Sequence, residues 1–142
     1  MRGYTLIELL VALVIVSVLA TSIALALPDP QPARQAESIR AWHREAQTLA
    51  TRAMADGRAL AWEVGVVEAQ VIDEVSRAPL PLAAGLQVAA LDVEGQRRSL
   101  PARIAFTDVP ESFVVVIRTT DDERGWQIVG RPSGAVDLVA FP

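Results

Sequence analysis

The hydrophobic pattern of the chain begins with an unbroken apolar segment. Residues 9–27 carry no charge and consist of Leu, Val, Ile and Ala, apart from Ser17, Thr21 and Ser22. At about 1.5 Å of rise per residue, a helix over this segment is roughly 28 Å long, which matches the hydrocarbon core of a bilayer. A secretory signal peptide is disfavoured, because its apolar core is about 7 to 15 residues long and a small-x-small cleavage site follows it. The pattern therefore predicts a transmembrane helix.

Three prolines interrupt the pattern directly after the apolar segment. Pro28, Pro30 and Pro32 lack amide donors and have fixed φ angles, so a helix is not expected to continue through them. We therefore expect a Pro-rich hinge over residues 28–32.

A second helix is predicted over residues 33–56, where apolar side chains recur at intervals of three and four. We interpret Trp42 as a packing residue rather than a partner-binding anchor, because it belongs to this apolar stripe. His43 lies beside the stripe without the spacing of a metal or catalytic motif, so we interpret it as a solvated helix residue. The stripe is expected to face a sheet, and it is formed by Ile39, Trp42, Ala46, Leu49 and Ala53.

After Gly57 the hydrophobic period changes to two, which is typical of strands. Alternation is clear at Leu60, Trp62, Val64 and Val66. Further strands are predicted over residues 70–75, 86–93, 103–107, 113–119, 126–130 and 135–141. The chain after the hinge is therefore expected to be α+β, with one helix packed on antiparallel β-structure.

The turn at residues 121–125 is rich in acidic side chains and invites interpretation as a calcium site. Its spacing matches no EF-hand pattern, and its length suits a plain hairpin connection, so a solvated turn is favoured. We therefore expect no metal site and no cofactor.

Composition narrows the function classes. The chain has no cysteine and one histidine, and it contains neither a Gly-x-Ser-x-Gly motif nor a metal-ligand set, so an enzyme is not expected. The formal net charge is -4, and a mildly acidic surface repels phosphate backbones on average. Arg97, Arg98 and Arg103 are the nearest approach to a basic cluster, and we interpret them as a solvated loop face. Nucleic acid is therefore not an expected partner.

The first residues carry a motif that composition alone does not explain. The stretch from Gly3 through Tyr4 and Glu8 into the apolar run reads Gly-Tyr-Thr-Leu-Ile-Glu-Leu-Leu-Val-Ala-Leu. It resembles the class III signal of type IV pilins and of type II secretion pseudopilins, in which phenylalanine usually stands where Tyr4 is found. The resemblance implies cleavage by the prepilin peptidase between Gly3 and Tyr4, followed by N-methylation of Tyr4. Leader, membrane helix, hinge and head would then occupy residues 1–3, 4–27, 28–32 and 33–142, with a helix over 33–56 and β-structure over 58–142.

A carboxylate at the mouth of an apolar segment is costly unless a partner offsets its desolvation. Cleavage after Gly3 would create an amine at Tyr4, and the resemblance implies that Glu8 pairs with the Tyr4 ammonium of a neighbouring subunit during filament assembly. Arg2 is the only charge before Glu8, so the N-terminus is expected to stay cytoplasmic. The chain would then be a single-pass inner-membrane protein with its head in the periplasm.

Two later segments are similar to the minor pseudopilin H of type II secretion systems: residues 58–64, Arg-Ala-Leu-Ala-Trp-Glu-Val, and the stretch beginning Trp-Gln-Ile-Val-Gly-Arg-Pro-Ser-Gly at residue 126. This similarity implies a helix packed on two small β-sheets, and a place in the tip complex of a periplasmic filament that exports folded proteins across the outer membrane. Implied partners are other minor pseudopilins, the major pseudopilin, the prepilin peptidase and the inner-membrane assembly platform. The alternatives are a minor type IV pilin for pilus assembly, adhesion or DNA uptake, and an anchored periplasmic enzyme.

Overall fold

The computed structural model describes residues 5–26, 29–72, 78–121 and 123–142, except for the side chains of residues 23–26. The chain divides into two compact units, Met1–Pro30 and Gln31–Pro142. The first contains helix α1 (Leu6–Ala26), and the second, which we call the head, contains helix α2 (Gln31–Asp56) and all the strands. The strands are β1 (Leu60–Val64), β2 (Glu68–Ile72), β3 (Leu80–Pro81), β4 (Leu86–Val93), β5 (Gln96–Arg98), β6 (Ala102–Phe106), β7 (Phe113–Thr119), β8 (Gly125–Gly130) and β9 (Val136–Phe141).

One of the three prolines that follow the apolar segment, Pro32, lies within a helix. Helix α2 begins at Gln31, so Pro32 lies in its first turn and not in the linker where the sequence placed it. Amide groups in the first turn of a helix have no intrahelical acceptor, so a residue without an amide hydrogen costs little there. Pro28 lies outside the described residues. Whether the segment acts as a hinge stays a prediction.

The strands form two antiparallel sheets. The first has the order β3-β2-β1-β6 and the second the order β5-β4-β7-β8-β9. Strands β4 and β7 coincide with the predicted ranges, and the C-terminal meander β7-β8-β9 pairs strand by strand along the chain. The predicted α+β architecture, a helix on small antiparallel sheets, is confirmed.

Helix α2 packs on the sheets through its predicted stripe. All five stripe residues are buried, and Ala50 joins them. At the centre, Trp42 and Trp62 meet edge to face, with ring centroids 5.4 Å apart, and neither side chain is exposed. The interpretation of Trp42 as a packing residue is confirmed. Edge-to-face geometry suits the quadrupoles of two aromatic rings and adds stabilisation beyond the buried area.

The N-terminal half of α2 is fastened to β3 and to the connection between β3 and β4. Side chains on one face of the helix reach this backbone: Gln35 Nε2 donates to the Ala84 carbonyl at 3.2 Å, and Trp42 Nε1 donates to the Leu80 carbonyl of β3 at 3.1 Å. Between them, Ser38 Oγ accepts from the amide of residue 83 at 3.0 Å. The bonds to residues 83 and 84 satisfy backbone groups that lie outside the strands, so the loop is held without regular structure of its own.

Two predictions about individual residues are wrong. Strand β1 ends at Val64, and Val66, which was assigned to the alternating strand, is 49% exposed in the following turn. Its backbone carbonyl instead accepts from the Val88 amide at 2.8 Å. His43 is half-buried, and its Nε2 lies 2.9 Å from the Val136 carbonyl oxygen, so it is not a solvated residue.

The arginines that were assigned to a loop lie on strands. Arg97 and Arg98 belong to β5 and Arg103 belongs to β6, in the other sheet, although all three are exposed as expected. Each sheet sets one arginine against a carboxylate on the adjacent strand: Arg97 lies 2.8 Å from Asp92, and Arg103 lies 3.0 Å from Glu63. They therefore serve as cross-strand ion pairs rather than as a basic surface.

Candidate functional site

The segment that the sequence singles out is the start of α1. Thr5 precedes the helix, and its backbone carbonyl accepts from the amides of Glu8 and Leu9 at 3.0 and 3.2 Å. Its side-chain Oγ1 also accepts from the Glu8 amide, at 3.3 Å. Thr5 is therefore the N-cap of α1, and it satisfies an amide that has no partner within the helix.

The N-cap role of Thr5 is a feature of the candidate site that the sequence analysis missed. The signal was present, because Thr5 and Glu8 have the Thr-x-x-Glu spacing of a capping box, in which the cap and the third helical residue support the helix start. In the sequence analysis, this motif was used only to predict the cleavage site and the role of the Glu8 carboxylate. The structure shows the Thr5 half of such a box, in which the Glu8 amide donates to Thr5 Oγ1, and this gives a local reason for a threonine at this position.

Glu8 lies in the first turn of α1, with an exposed side chain. Its position there is favourable, because the helix dipole places partial positive charge at the N-terminus. Within the described part of the chain, its carboxylate has no hydrogen bond or ion pair. Gly3 and Tyr4, which carry the predicted cleavage and methylation, lie outside the described residues.

The remaining polar side chains of α1 are satisfied within the helix. Ser17, Thr21 and Ser22 each donate a hydroxyl hydrogen bond to the carbonyl four residues earlier, at 2.7, 2.8 and 2.9 Å. Around them, the large side chains that the structure describes from Leu6 to Leu19 are more than half exposed. In the described part of α1, Glu8 therefore has the only polar side-chain group that makes no bond of its own within the helix. Among the residues whose side chains are described, which end at Ser22 in α1, no helix is both long and apolar enough to span a membrane.

The head offers polar surface without a catalytic arrangement in its described part. A shallow cleft of about 340 Å³ runs along α2 and is lined by Arg44, Gln47, Thr48, Thr51 and Arg52. No group of three or more histidine, cysteine or acidic side chains among the described residues could hold a metal ion. In the acidic turn between β7 and β8, Asp121 and Glu123 are exposed, and Asp122 lies outside the described residues.

One head carboxylate is clearly perturbed. Hydrogen bonds from Arg103, and second from Gln70, lower the pKa of Glu63 below its ordinary value. Arg103 Nε donates at 3.0 Å and Gln70 Nε2 donates at 3.1 Å, so both oxygens of the carboxylate are held in its charged form. The group joins β1 to both of its neighbours in the sheet, which makes it a structural ion pair.

Comparison with known proteins gives one match to the N-terminal motif and one to the fold. The family described as the prokaryotic N-terminal methylation motif matches residues 1–24. The minor pseudopilin EpsH from the Type 2 Secretion System of Vibrio cholerae has a similar structure, with a TM-score of 0.56 and 17% sequence identity over 75% of this chain and 97% of that chain. No curated protein sequence matches the chain significantly. The predicted resemblance to pilin-like proteins is confirmed in motif and in fold: the chain carries a type IV pilin-type methylation motif, which indicates a membrane-anchored N-terminus, and it has a fold similar to that of a minor pseudopilin.

Proposed function

We propose that this chain is a structural minor pseudopilin, a non-enzymatic subunit of the tip complex of a type II secretion pseudopilus. The observation that carries the proposal is the combination of a methylation motif over residues 1–24 with a fold similar to that of a minor pseudopilin. A secreted domain or an ordinary anchored domain needs no such motif. The fold similarity favours the pseudopilin class over a minor type IV pilin.

The chain is inserted once in the inner membrane, with Arg2 on the cytoplasmic side and the head in the periplasm. The prepilin peptidase cleaves between Gly3 and Tyr4 and methylates the new amine of Tyr4. Helix α1 begins at Leu6, two residues after the proposed cleavage bond, with Thr5 as its N-cap.

Glu8 registers the subunit in the filament by pairing with the Tyr4 ammonium of a neighbouring subunit. An exposed carboxylate in the first turn of an apolar helix, with no partner among the described residues, supports this role. Burying it unpaired in a bilayer costs about 2.5 to 3.5 kcal/mol at mid-membrane and less near the interface. An ion pair between subunits offsets that cost for both groups. The head then meets the other minor pseudopilins and the major pseudopilin, and the assembly platform receives the membrane helix.

The test begins with the N-terminus of the full chain, expressed in membranes together with a prepilin peptidase. Intact mass and N-terminal sequencing are expected to find N-methyl-Tyr4 as the first residue, and a Gly3→Ala variant is expected to stay uncleaved. Glu8→Gln is expected to be cleaved normally but to be lost from filaments that are isolated with the other pseudopilins. Glu68→Gln is the matched control, since Glu68 is an exposed head carboxylate, and it is expected to assemble like the unaltered chain.

Each contrary outcome removes a different part of the proposal. A retained Met1, or cleavage near residue 26, rules out a filament subunit. Normal assembly of Glu8→Gln rules out the ion-pair role. Correct processing followed by incorporation into a surface pilus, and not into the secretion filament, assigns the chain to the minor type IV pilins instead.

A further inference from the structure

Within its described residues the head has four sheet edges, and three of them are protected against pairing with another strand. Strand β3 is two residues long and contains Pro81, and β5 is three residues long and presents Arg97 and Arg98. On β6, the outward amide of Ala105 is already bonded to Glu111 Oε2 at 3.2 Å. Short length, proline, charge and side-chain capping are the usual means of blocking a sheet edge.

The fourth edge, β9, has little such protection. It is six residues long, and its only charged side chain is Asp137, near its start. Val139 is 47% exposed, and Ala140 is exposed as well. Residues 138–142 therefore form an accessible end of the five-stranded sheet that has no charged side chain.

The hairpin that leads into β9 shows which of its backbone groups face outward. The Arg131 amide donates to the Ala135 carbonyl at 2.9 Å, so this pair is hydrogen-bonded, and bonded and unbonded pairs alternate along an antiparallel ladder. The backbone amide and carbonyl of Val136 therefore point away from β8, and the carbonyl oxygen lies 2.9 Å from His43 Nε2. By the same alternation, the amides and carbonyls of Leu138 and Ala140 point outward, and within the described residues they have no partner.

We propose that this edge pairs with β9 of a second copy of the chain. In an antiparallel arrangement centred on Val139, Leu138 lies opposite Ala140 of the second copy, and both residues present outward amides and carbonyls. The two copies then exchange hydrogen bonds on each side of the centre and join two five-stranded sheets into one. This pairing goes beyond the proposed function and does not depend on it.

A second copy fits this edge because the strand is complementary to itself. Centring on Val139 sets Val139 against Val139 of the second copy and Asp137 against Phe141 of the second copy, so no like charges face each other directly. Arg118 lies 5.7 Å from the centre of the Phe141 ring on the same face, which places a cation on the side of the strand that receives the second copy's Asp137. A strand with acidic residues at positions 138–140 would lack this match.

The absence of cysteine makes the pairing directly testable, because Val139→Cys supplies the one thiol in the chain. Residues at an unbonded antiparallel pair approach to about 4.5 Å between Cα atoms, which suits a disulfide. Purified full-length Val139→Cys in detergent is expected to form a disulfide-linked dimer under mild oxidation. Val67→Cys is the matched control, since Val67 is 54% exposed in the β1–β2 turn, and it is expected to stay monomeric.

A proline at Ala140 tests whether backbone pairing holds the dimer. Its amide points outward, so Ala140→Pro removes an edge donor and leaves the bonds to β8 in place. Val139→Cys/Ala140→Pro is expected to lose the crosslink while its circular dichroism and melting temperature stay close to those of Val139→Cys. Equal crosslinking of Val139→Cys and Val67→Cys, no dimer in either, or a crosslink that survives a correctly folded Ala140→Pro would each overturn the proposal. The test of cleavage after Gly3 measures the N-terminus, so its outcome is independent of the crosslinking result.

Discussion

The buried tryptophan pair permits a test of how a single indole hydrogen bond contributes to the head. Trp42 and Trp62 are both fully buried and touch each other, but only Trp42 Nε1 donates a hydrogen bond, to the Leu80 carbonyl. Trp62 Nε1 is buried and has no hydrogen-bond partner among the residues that the structure describes. Changing each tryptophan to phenylalanine therefore removes the same atoms from the same core in two different polar settings.

The expected difference follows from what the two changes share. Both variants replace an indole by a smaller phenyl ring. The free-energy costs of the lost contacts and of the cavity are therefore similar in the two variants. Trp42→Phe also leaves the Leu80 carbonyl without its donor, which costs about 1–3 kcal/mol for a buried group. Leu80 is half-buried, so the lower part of that range applies. Trp62→Phe removes a donor that was already unpaired and incurs no such cost.

Equilibrium urea unfolding of the full chain in detergent, followed by circular dichroism, measures both variants against the unaltered protein. We expect Trp42→Phe to be less stable than Trp62→Phe by about 1 kcal/mol, with equal denaturant slopes. Equal stabilities, or a larger loss in Trp62→Phe, would refute the assignment of the hydrogen bond as the cause. Unequal slopes would show that one variant changes the extent of unfolding.

Three further predictions concern the head. The pKa of Glu63 is lowered in the folded state, so the contribution of its carboxylate to stability is present above the ordinary pKa of a glutamate, near 4.3. This contribution is lost as the pH falls through the lower folded pKa. Arg103→Gln removes the main cause of the lowered pKa, so the fall of the melting temperature with acid pH is expected to be shallower in this variant. An added methyl group at Gly130 would lie 2.0 Å from the Phe113 ring, so Gly130→Ala is expected to cost about 1–3 kcal/mol in urea unfolding, whereas Ala89→Gly on the exposed side of β4 should cost less. Chelation with EDTA is expected to leave the melting temperature unchanged, and a fall reversed by calcium would contradict the view of the β7–β8 turn as a plain connection.

Periodicity predicted the parts of the fold where burial is regular. The stripe of α2 and the strands β4 and β7 follow the spacing of a helix and of strands that bury one face, and a pattern of that kind is visible without knowledge of partners. Strands β3 and β5 were not predicted, because two or three residues are too few for a period. They form where a neighbouring strand supplies the pairing.

The incorrect assignments concern residues whose environment is set by distant parts of the chain. His43 meets a carbonyl 93 residues away, and no local pattern reports that contact. Val66 continues the alternation of β1 in sequence, but its carbonyl is used by Val88 of the other sheet. At the candidate site the reverse holds: Glu8 was identified from its motif, and Thr5 was overlooked although its role is local.

The glycines of β8 specify how the meander aligns. Phe113 of β7 covers Gly130 on the core face, and Phe141 of β9 covers Gly125 on the opposite face, with ring atoms 2.0 and 2.3 Å from where a β-carbon would stand. If β8 slipped by one residue against either neighbour, a ring would meet Val129 or Trp126 in place of a glycine. Each of the two strand pairs therefore has its own steric restriction on register, so misaligned hairpins are penalised during folding before the sheet is complete.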